Sequence, residues 1–235
     1  MLDASRPLLR NRLLASLSPD DLAVLAADLE PVPLKLRLQL ELPDKPIEHV
    51  YFIEDGFASV VAVHAHVKRV EVGVIGCEGM SGTAVVLAND RSPHATYMQV
   101  AGRGHRIPAD RLRDAMAASR PLHDLMLRYV QCFMVQTAHA AMANACATLD
   151  ERLARWILMA HDRVGHETLP LTHELLSLML GVRRPGVTEA LDGFESRGLV
   201  QLGRGRIAVI DRRGIEEIGG RYYGTAEAEY RRLIG

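Results

Sequence analysis

The 235-residue chain is predicted to be an α+β protein: a small β-roll, one long helix, and then two short helices followed by a hairpin. Three observations predict this. Short β-type runs separated by glycine-bearing turns fill the stretch from Val32 to Pro108. A segment without Pro or Gly runs from Leu122 to about Thr148 with apolar residues at helical spacing. Helical periodicity then returns in two short segments on either side of Gly181.

Taken in order, Leu13 to Leu29 reads as short amphipathic helices, with Ser18-Pro19-Asp20-Asp21 opening a new turn. His49 to Ile53 meets Glu54-Asp55-Gly56, a turn signal, and alternation resumes from Ala58 to Val63. Val70 to Ile75 and Ala95 to Val100 are further strands, and runs at this spacing suggest a roll or small barrel. Ala109 to Ala118 then turns helical. In the long helix, Leu122, Met126, Tyr129, Phe133, Gln136, Ala140, Ala143 and Ala147 recur at spacings of four and three. A seam of this kind fits a partner helix, so Met126, Tyr129, Phe133, Gln136 and Ala140 are the expected homodimer contacts. A helix buried within one subunit produces much of the same pattern.

The back of the chain is the most informative. Thr172 can cap a helix reaching Leu180, with Glu174 in its first turn, where negative charge suits the helix dipole. Gly181 supplies a sharp turn, and Pro185 falls in the first turn of a second helix, where no intrahelical donor is lost. Val187, Ala190, Leu191 and Phe194 form the inward stripe of that second helix, leaving Arg183, Arg184, Thr188 and Glu189 outward. Gly198 ends it, and Leu199–Leu202 and Ile207–Ile210 form a hairpin around Gly203-Arg204-Gly205-Arg206. That is a winged helix-turn-helix, whose second helix enters the DNA major groove. From Arg183 to Arg213 there are seven Arg and four acids, a local positive excess in a chain of net charge −1. Arg at a helix start and at a hairpin tip suits guanine and phosphate contacts. The expected DNA-contacting set is Thr172, His173, Arg183, Arg184, Pro185, Thr188, Glu189, Arg204 and Arg206. A helical hairpin packed in some other core is the rival reading.

The length suggests two domains, since single domains are most often about 100–150 residues. The boundaries fall at 1–120, 121–147 and 148–235 for roll, dimerisation helix and winged domain. No run of roughly 18 apolar residues exists, so no membrane span is expected. The start, Met-Leu-Asp-Ala-Ser-Arg, lacks the basic-then-apolar pattern of a signal peptide. Cys77, Cys132 and Cys146 are an odd, scattered set that fits a reduced, cytoplasmic setting. No phosphate loop, zinc-spaced cluster or nucleophile–base motif is visible, so neither an enzyme nor a metal site is expected.

This order of elements resembles the cyclic-AMP receptor/fumarate-nitrate regulator (Crp/Fnr) superfamily of bacterial transcription regulators. The resemblance covers nearly the whole chain. Its most specific parts are Val50 to Gly56, Glu151-Arg152-Leu153-Ala154-Arg155-Trp156, and Leu180-Gly181-Val182-Arg183-Arg184. It implies a cyclic-nucleotide-binding-like roll, a homodimer on double-stranded palindromic DNA, and RNA polymerase as a partner. Pro185 and Glu189 stand where the family often has an acid and an arginine, so its familiar operator is not implied here.

Members that bind cyclic nucleotides use a glycine-rich turn, a glutamate for the ribose and an arginine for the phosphate. The matching stretch is Gly76 to Ala84 followed by Arg91-Ser92-Pro93. Thr83 replaces the glutamate and the loop to Arg91 is short, so Glu78, Gly79, Gly82, Thr83, Arg91 and Ser92 read as a degenerate effector pocket. Tight cyclic-AMP binding is not expected, with Glu78 as a displaced substitute for the missing acid. An iron–sulfur cluster takes about four thiolates, and no cysteine precedes Cys77. His64 and His66 share a strand face and invite a haem or metal reading, but surface residues explain them as well. No cofactor is expected. Two alternatives stand beside the regulator: a sensory or protein-binding roll without an operator, and a redox sensor acting through Cys77.

Overall fold

The computed structural model describes residues 9–63 and 70–235, so the reading of His64 and His66 lies outside the described residues. Two short helices, α1 (Arg12–Ala15) and α2 (Pro19–Ala26), lead into a seven-stranded roll with one short helix. Its elements are β1 (Glu30–Leu34), β2 (Gln39–Glu41), β3 (His49–Ile53), β4 (Phe57–Ala62), β5 (Val70–Ile75), α3 (Thr83–Val86), β6 (His94–Val100) and β7 (Gly102–Pro108). The strands form two antiparallel sheets of order β1-β7-β3 and β2-β6-β4-β5. Glu54-Asp55-Gly56 therefore does not close a hairpin between β3 and β4; it carries the chain from one sheet to the other. Gly56 has φ +73°, and a Cβ there would lie 2.4 Å from the Val100 carbonyl oxygen, so only glycine fits this corner.

Helix α4 (Ala109–Ala118) leads into α5 (Arg120–Cys146), whose start is fixed by Ser119. The Ser119 hydroxyl accepts from the Leu122 N–H and donates to Asp21 at 2.5 Å, tying α2 to the long helix. Helix α5 carries two stripes. Met126, Tyr129, Gln136 and Ala140 are buried against the roll of their own chain, and Phe133 packs partly buried on the same side. The Tyr129 hydroxyl donates to the Met80 carbonyl at 2.9 Å, and the Gln136 amide pairs with both the N–H and the C=O of Val74. The seam expected to face a second subunit is thus satisfied within the protomer. One residue further round, Leu127, Gln131, Met134, Ala138, Ala141 and Ala145 are exposed at alternating spacings of four and three.

The helix breaks at Ala147, where Thr148 and Glu151 form a reciprocal capping box that starts α6 (Leu149–Val164). Next come β8 (Thr168–Leu169), α7 (His173–Leu180), α8 (Arg184–Ser196), β9 (Val200–Gly203), β10 (Arg206–Val209), α9 (Arg212–Gly219) and α10 (Thr225–Leu233). The hairpin gains a third strand, giving the order β8-β10-β9. Helix α10, unforeseen in the sequence, returns to pack along α5 through Tyr230 and Ile234.

The back of the chain does not have a core to itself. One buried cluster joins Leu153, Trp156, Ile157, Leu176, Val187 and Phe194 with Phe57, Val74 and Val100 of the roll. Trp156 meets Phe57 edge-on, with ring centroids 6.0 Å apart. Beside this contact, the buried Glu71 carboxylate accepts from the Trp156 indole N–H at 2.6 Å and the Ser59 hydroxyl at 2.5 Å. Burial pushes the Glu71 carboxyl up to about 7, against the pull of these two donors and of Arg155 and Arg163.

Candidate nucleic-acid interface and effector region

Helix α7 is capped by the Thr172 hydroxyl, which accepts from the Leu175 N–H at 3.1 Å. It stops at Gly181, whose φ of +65° lets the chain reverse. The Arg152 guanidinium donates to the Leu180 carbonyl, satisfying an orphan acceptor at that end. Arg183 is the N-cap of α8; its guanidinium carries no acceptor, makes no side-chain cap and is exposed. Val187, Ala190, Leu191 and Phe194 are buried as the periodicity required, and this rotates the opposite face into solvent. Arg184, Pro185, Thr188, Glu189 and Asp192 line one shallow surface groove.

Thr188 is held by its neighbour: its hydroxyl and the His173 Nδ1 are 2.9 Å apart. The two helices of the motif are thereby joined at the groove, and His173 takes a positioning role as well as a place at the surface. The wing is also anchored, because the Leu202 N–H donates to Glu195 at 2.7 Å at the far end of α8. Its tip turns at Gly205, with φ +68°, and presents Arg204 and Arg206 to solvent. Arg183, Arg184, Arg204 and Arg206 have no ion pair among the described residues, so all four charges are available to an anion.

The polar groups of the expected effector cassette are engaged by other partners. Gly82 is left-handed, and its N–H, which would meet an anionic ligand, donates to the buried Glu41 carboxylate at 2.8 Å. Burial raises the Glu41 pKa, and the Gly82 and Thr96 donors oppose it. Thr83 opens the short helix α3, while Arg91 turns outward and binds Asp90 at 2.9 Å, half exposed. The Ser92 hydroxyl accepts from the His94 N–H within its own loop. Glu78 lies in a different environment, paired at 2.7 Å with the buried Arg163 of α6.

The nearby glycines also have a packing reason. A Cβ at Gly76 would lie 2.6 Å from the Arg163 side chain, and one at Gly79 would lie 2.3 Å from the Tyr129 hydroxyl. They allow α6 and α5 to approach the turn. Cys77 is half-buried, and burial together with Glu78 pushes its thiol up, the reverse of what a redox-reactive thiolate needs. Sequence reasoning missed Glu41, Glu71 and Arg163, because their partners lie far away in the chain and no local pattern marks them.

A roll, a long connecting helix and a winged helix-turn-helix with an open cationic face define the architecture of the chain. Residues 151–218 match the family model of the Crp-like helix-turn-helix domain, and the chain as a whole has the fold of the Crp/Fnr transcription regulators. A putative regulator of that family from Eubacterium rectale superposes with TM-score 0.68 at 18% identity, over 88% of this chain and 97% of that one. FixK2 from Bradyrhizobium japonicum gives 0.68 at 14% identity, over 82% and 98%. The c-di-GMP-responsive global regulator CLP of Xanthomonas campestris gives 0.65 at 15% identity, over 88% and 100%. Comparison with curated protein sequences gives no match. Among the described residues, no helix is long and apolar enough to cross a membrane.

Proposed function

We propose that this chain is a Crp/Fnr-type transcription regulator that binds a two-fold symmetric operator as a homodimer and acts through RNA polymerase. The observation that carries the reading is the exposed α8 face and wing tip, with four arginines that have no ion pair among the described residues. Arg184 stands on the first turn of α8, where a guanidinium can donate two parallel bonds to a guanine edge. Arg204 and Arg206 on the wing suit phosphate, which positions without specifying. With a duplex selected from a random pool by the wild-type protein, Arg184→Ala costs about 1–3 kcal/mol and much less on scrambled DNA. Arg206→Ala weakens both duplexes alike and flattens the salt dependence by roughly one unit of slope. Competition binding at several salt concentrations checks both. Equal losses on both duplexes for Arg184→Ala would demote that residue to a backbone contact.

The dimer is assigned to the outer stripe of α5. Leu127, Met134, Ala138 and Ala141 follow the heptad rhythm of a helix-to-helix seam, and the small residues allow close approach. Met134, 59% exposed in the protomer, lies mid-stripe, so Met134→Glu places like charges against each other across the two-fold. Sedimentation of that variant is expected to give monomers at concentrations where the wild type is paired. A fully dimeric variant would move the interface elsewhere.

Cyclic nucleotide is not assigned as the effector. Glu41 occupies the Gly82 N–H and Asp90 pairs with Arg91, which supports the reading of a degenerate pocket. Cytoplasmic residence follows from this function rather than from any single residue.

A further inference from the structure

A cavity of about 240 Å³ lies where the two halves of the protomer meet, away from Gly82 and Arg91. Arg12 and Glu78 come from the front of the chain, Tyr129 and Phe133 from α5, Arg163 from α6, and Tyr230 and Arg231 from α10. Its lining is aromatic on both the α5 side and the C-terminal side, through Tyr223 and Tyr230, and it carries four arginines against three acids. Two of the arginines are matched: Arg163 by Glu78 at 2.7 Å and Arg212 by Asp162 at 2.8 Å. Arg12 and Arg231 have no ion pair among the described residues. The third acid, Glu227, already accepts the Gly224 N–H at 3.0 Å. The Tyr230 hydroxyl is buried with no hydrogen-bond partner among the described residues, a deficit that an incoming polar group would remove.

We infer that this cavity is the binding site for a small organic anion: a single apolar ring bearing one carboxylate. The ring stacks against Tyr129 and Phe133, the carboxylate meets Arg12 and Arg231, and the Tyr230 hydroxyl supplies the remaining hydrogen bond. The volume of about 240 Å³ is enough to seat one substituted ring. Because the walls belong to the roll, α5 and the winged half together, occupancy depends on how those parts are set against each other. Its regulatory role rests on the function proposed above, whereas binding itself does not.

The first test therefore omits DNA. The full chain is titrated with 4-fluorobenzoate and with the neutral 4-fluorobenzamide, followed by fluorine NMR. Saturable binding of one benzoate per chain is expected, at least tenfold weaker for the amide. Arg12→Gln with Arg231→Gln, both at exposed positions, reduces the benzoate affinity at least tenfold. Ala226→Trp, which fills the cavity, abolishes binding while circular dichroism stays unchanged, and Thr83→Ala leaves it intact. Absence of saturable binding at millimolar benzoate, or binding indifferent to both the arginine pair and Ala226→Trp, overturns the site. In a second titration, saturating benzoate shifts the affinity for the selected duplex at least threefold, as reciprocal coupling requires. An unchanged duplex affinity with benzoate bound overturns the regulatory role and leaves the DNA-binding reading standing.

Discussion

Raising the pH from 4.5 to 8 is expected to cost the wild-type protein about 3 kcal/mol of stability relative to Glu71→Gln. The sign follows from where the proton resides. In the unfolded chain the Glu71 carboxyl ionises near 4.5, while in the folded protein burial holds it to about 7. Between those values the folded state binds more protons, so stability falls as pH rises. Below 4.5 the protonated contribution is fully present, and above 7 both states are ionised and the loss is complete. Gln keeps an acceptor for the Trp156 indole and has no charge to bury. Urea denaturation of the two proteins across this range isolates the group, because the remaining titrations cancel in the difference. Parallel curves for the two proteins would mean that water reaches the carboxylate.

Trp156→Ala is expected to be the most damaging single truncation, at about 3–5 kcal/mol. Trp156 is 4% exposed and edge-packed on Phe57, so its removal opens a cavity between roll and winged half. It also takes away one of the two donors to a buried carboxylate. Trp156→Phe separates these contributions. It keeps most of the ring, loses the N–H, and moves the pH-dependent loss to higher pH, because a donor that stabilised the ionised Glu71 is gone. Denaturation followed by circular dichroism reads both variants, as the only tryptophan is the residue replaced. A loss confined to the Ala variant, with no pH displacement in Phe, would show the indole bond to be energetically silent.

The winged motif was legible because its determinants are local: caps, a left-handed glycine and an apolar stripe all lie within a few turns of the residues they govern. Strands His49–Ile53 and Val70–Ile75 were legible for the same reason. The long helix was recognised as a helix, yet the residues expected to face a partner are buried against their own roll. Two interleaved stripes share the 4-3 rhythm: Met126-Tyr129-Phe133 faces the roll, and Leu127-Gln131-Met134 faces solvent. Periodicity reports that a face is buried, not what buries it. The glycine turn misled differently. Gly76 and Gly79 looked like a ligand cradle, but they accommodate Arg163 and Tyr129, which lie 87 and 50 residues further along the chain. Glu71 likewise acquires its character from a tryptophan 85 residues away. Helix α10 had only a weak glycine start and a charged surface, so neither cap nor periodicity announced it.

Phe57, Val74 and Val100 belong to the roll by sequence and to the winged half by packing. A chain cut at residue 147 would leave each fragment with a raw apolar wound, and the two would melt as one body when joined. Swapping the winged half between relatives is then no exchange of cartridges. A hybrid would have to import the three roll side chains, with Ser59 and Glu71, to inherit a sound molecule along with its new winged half.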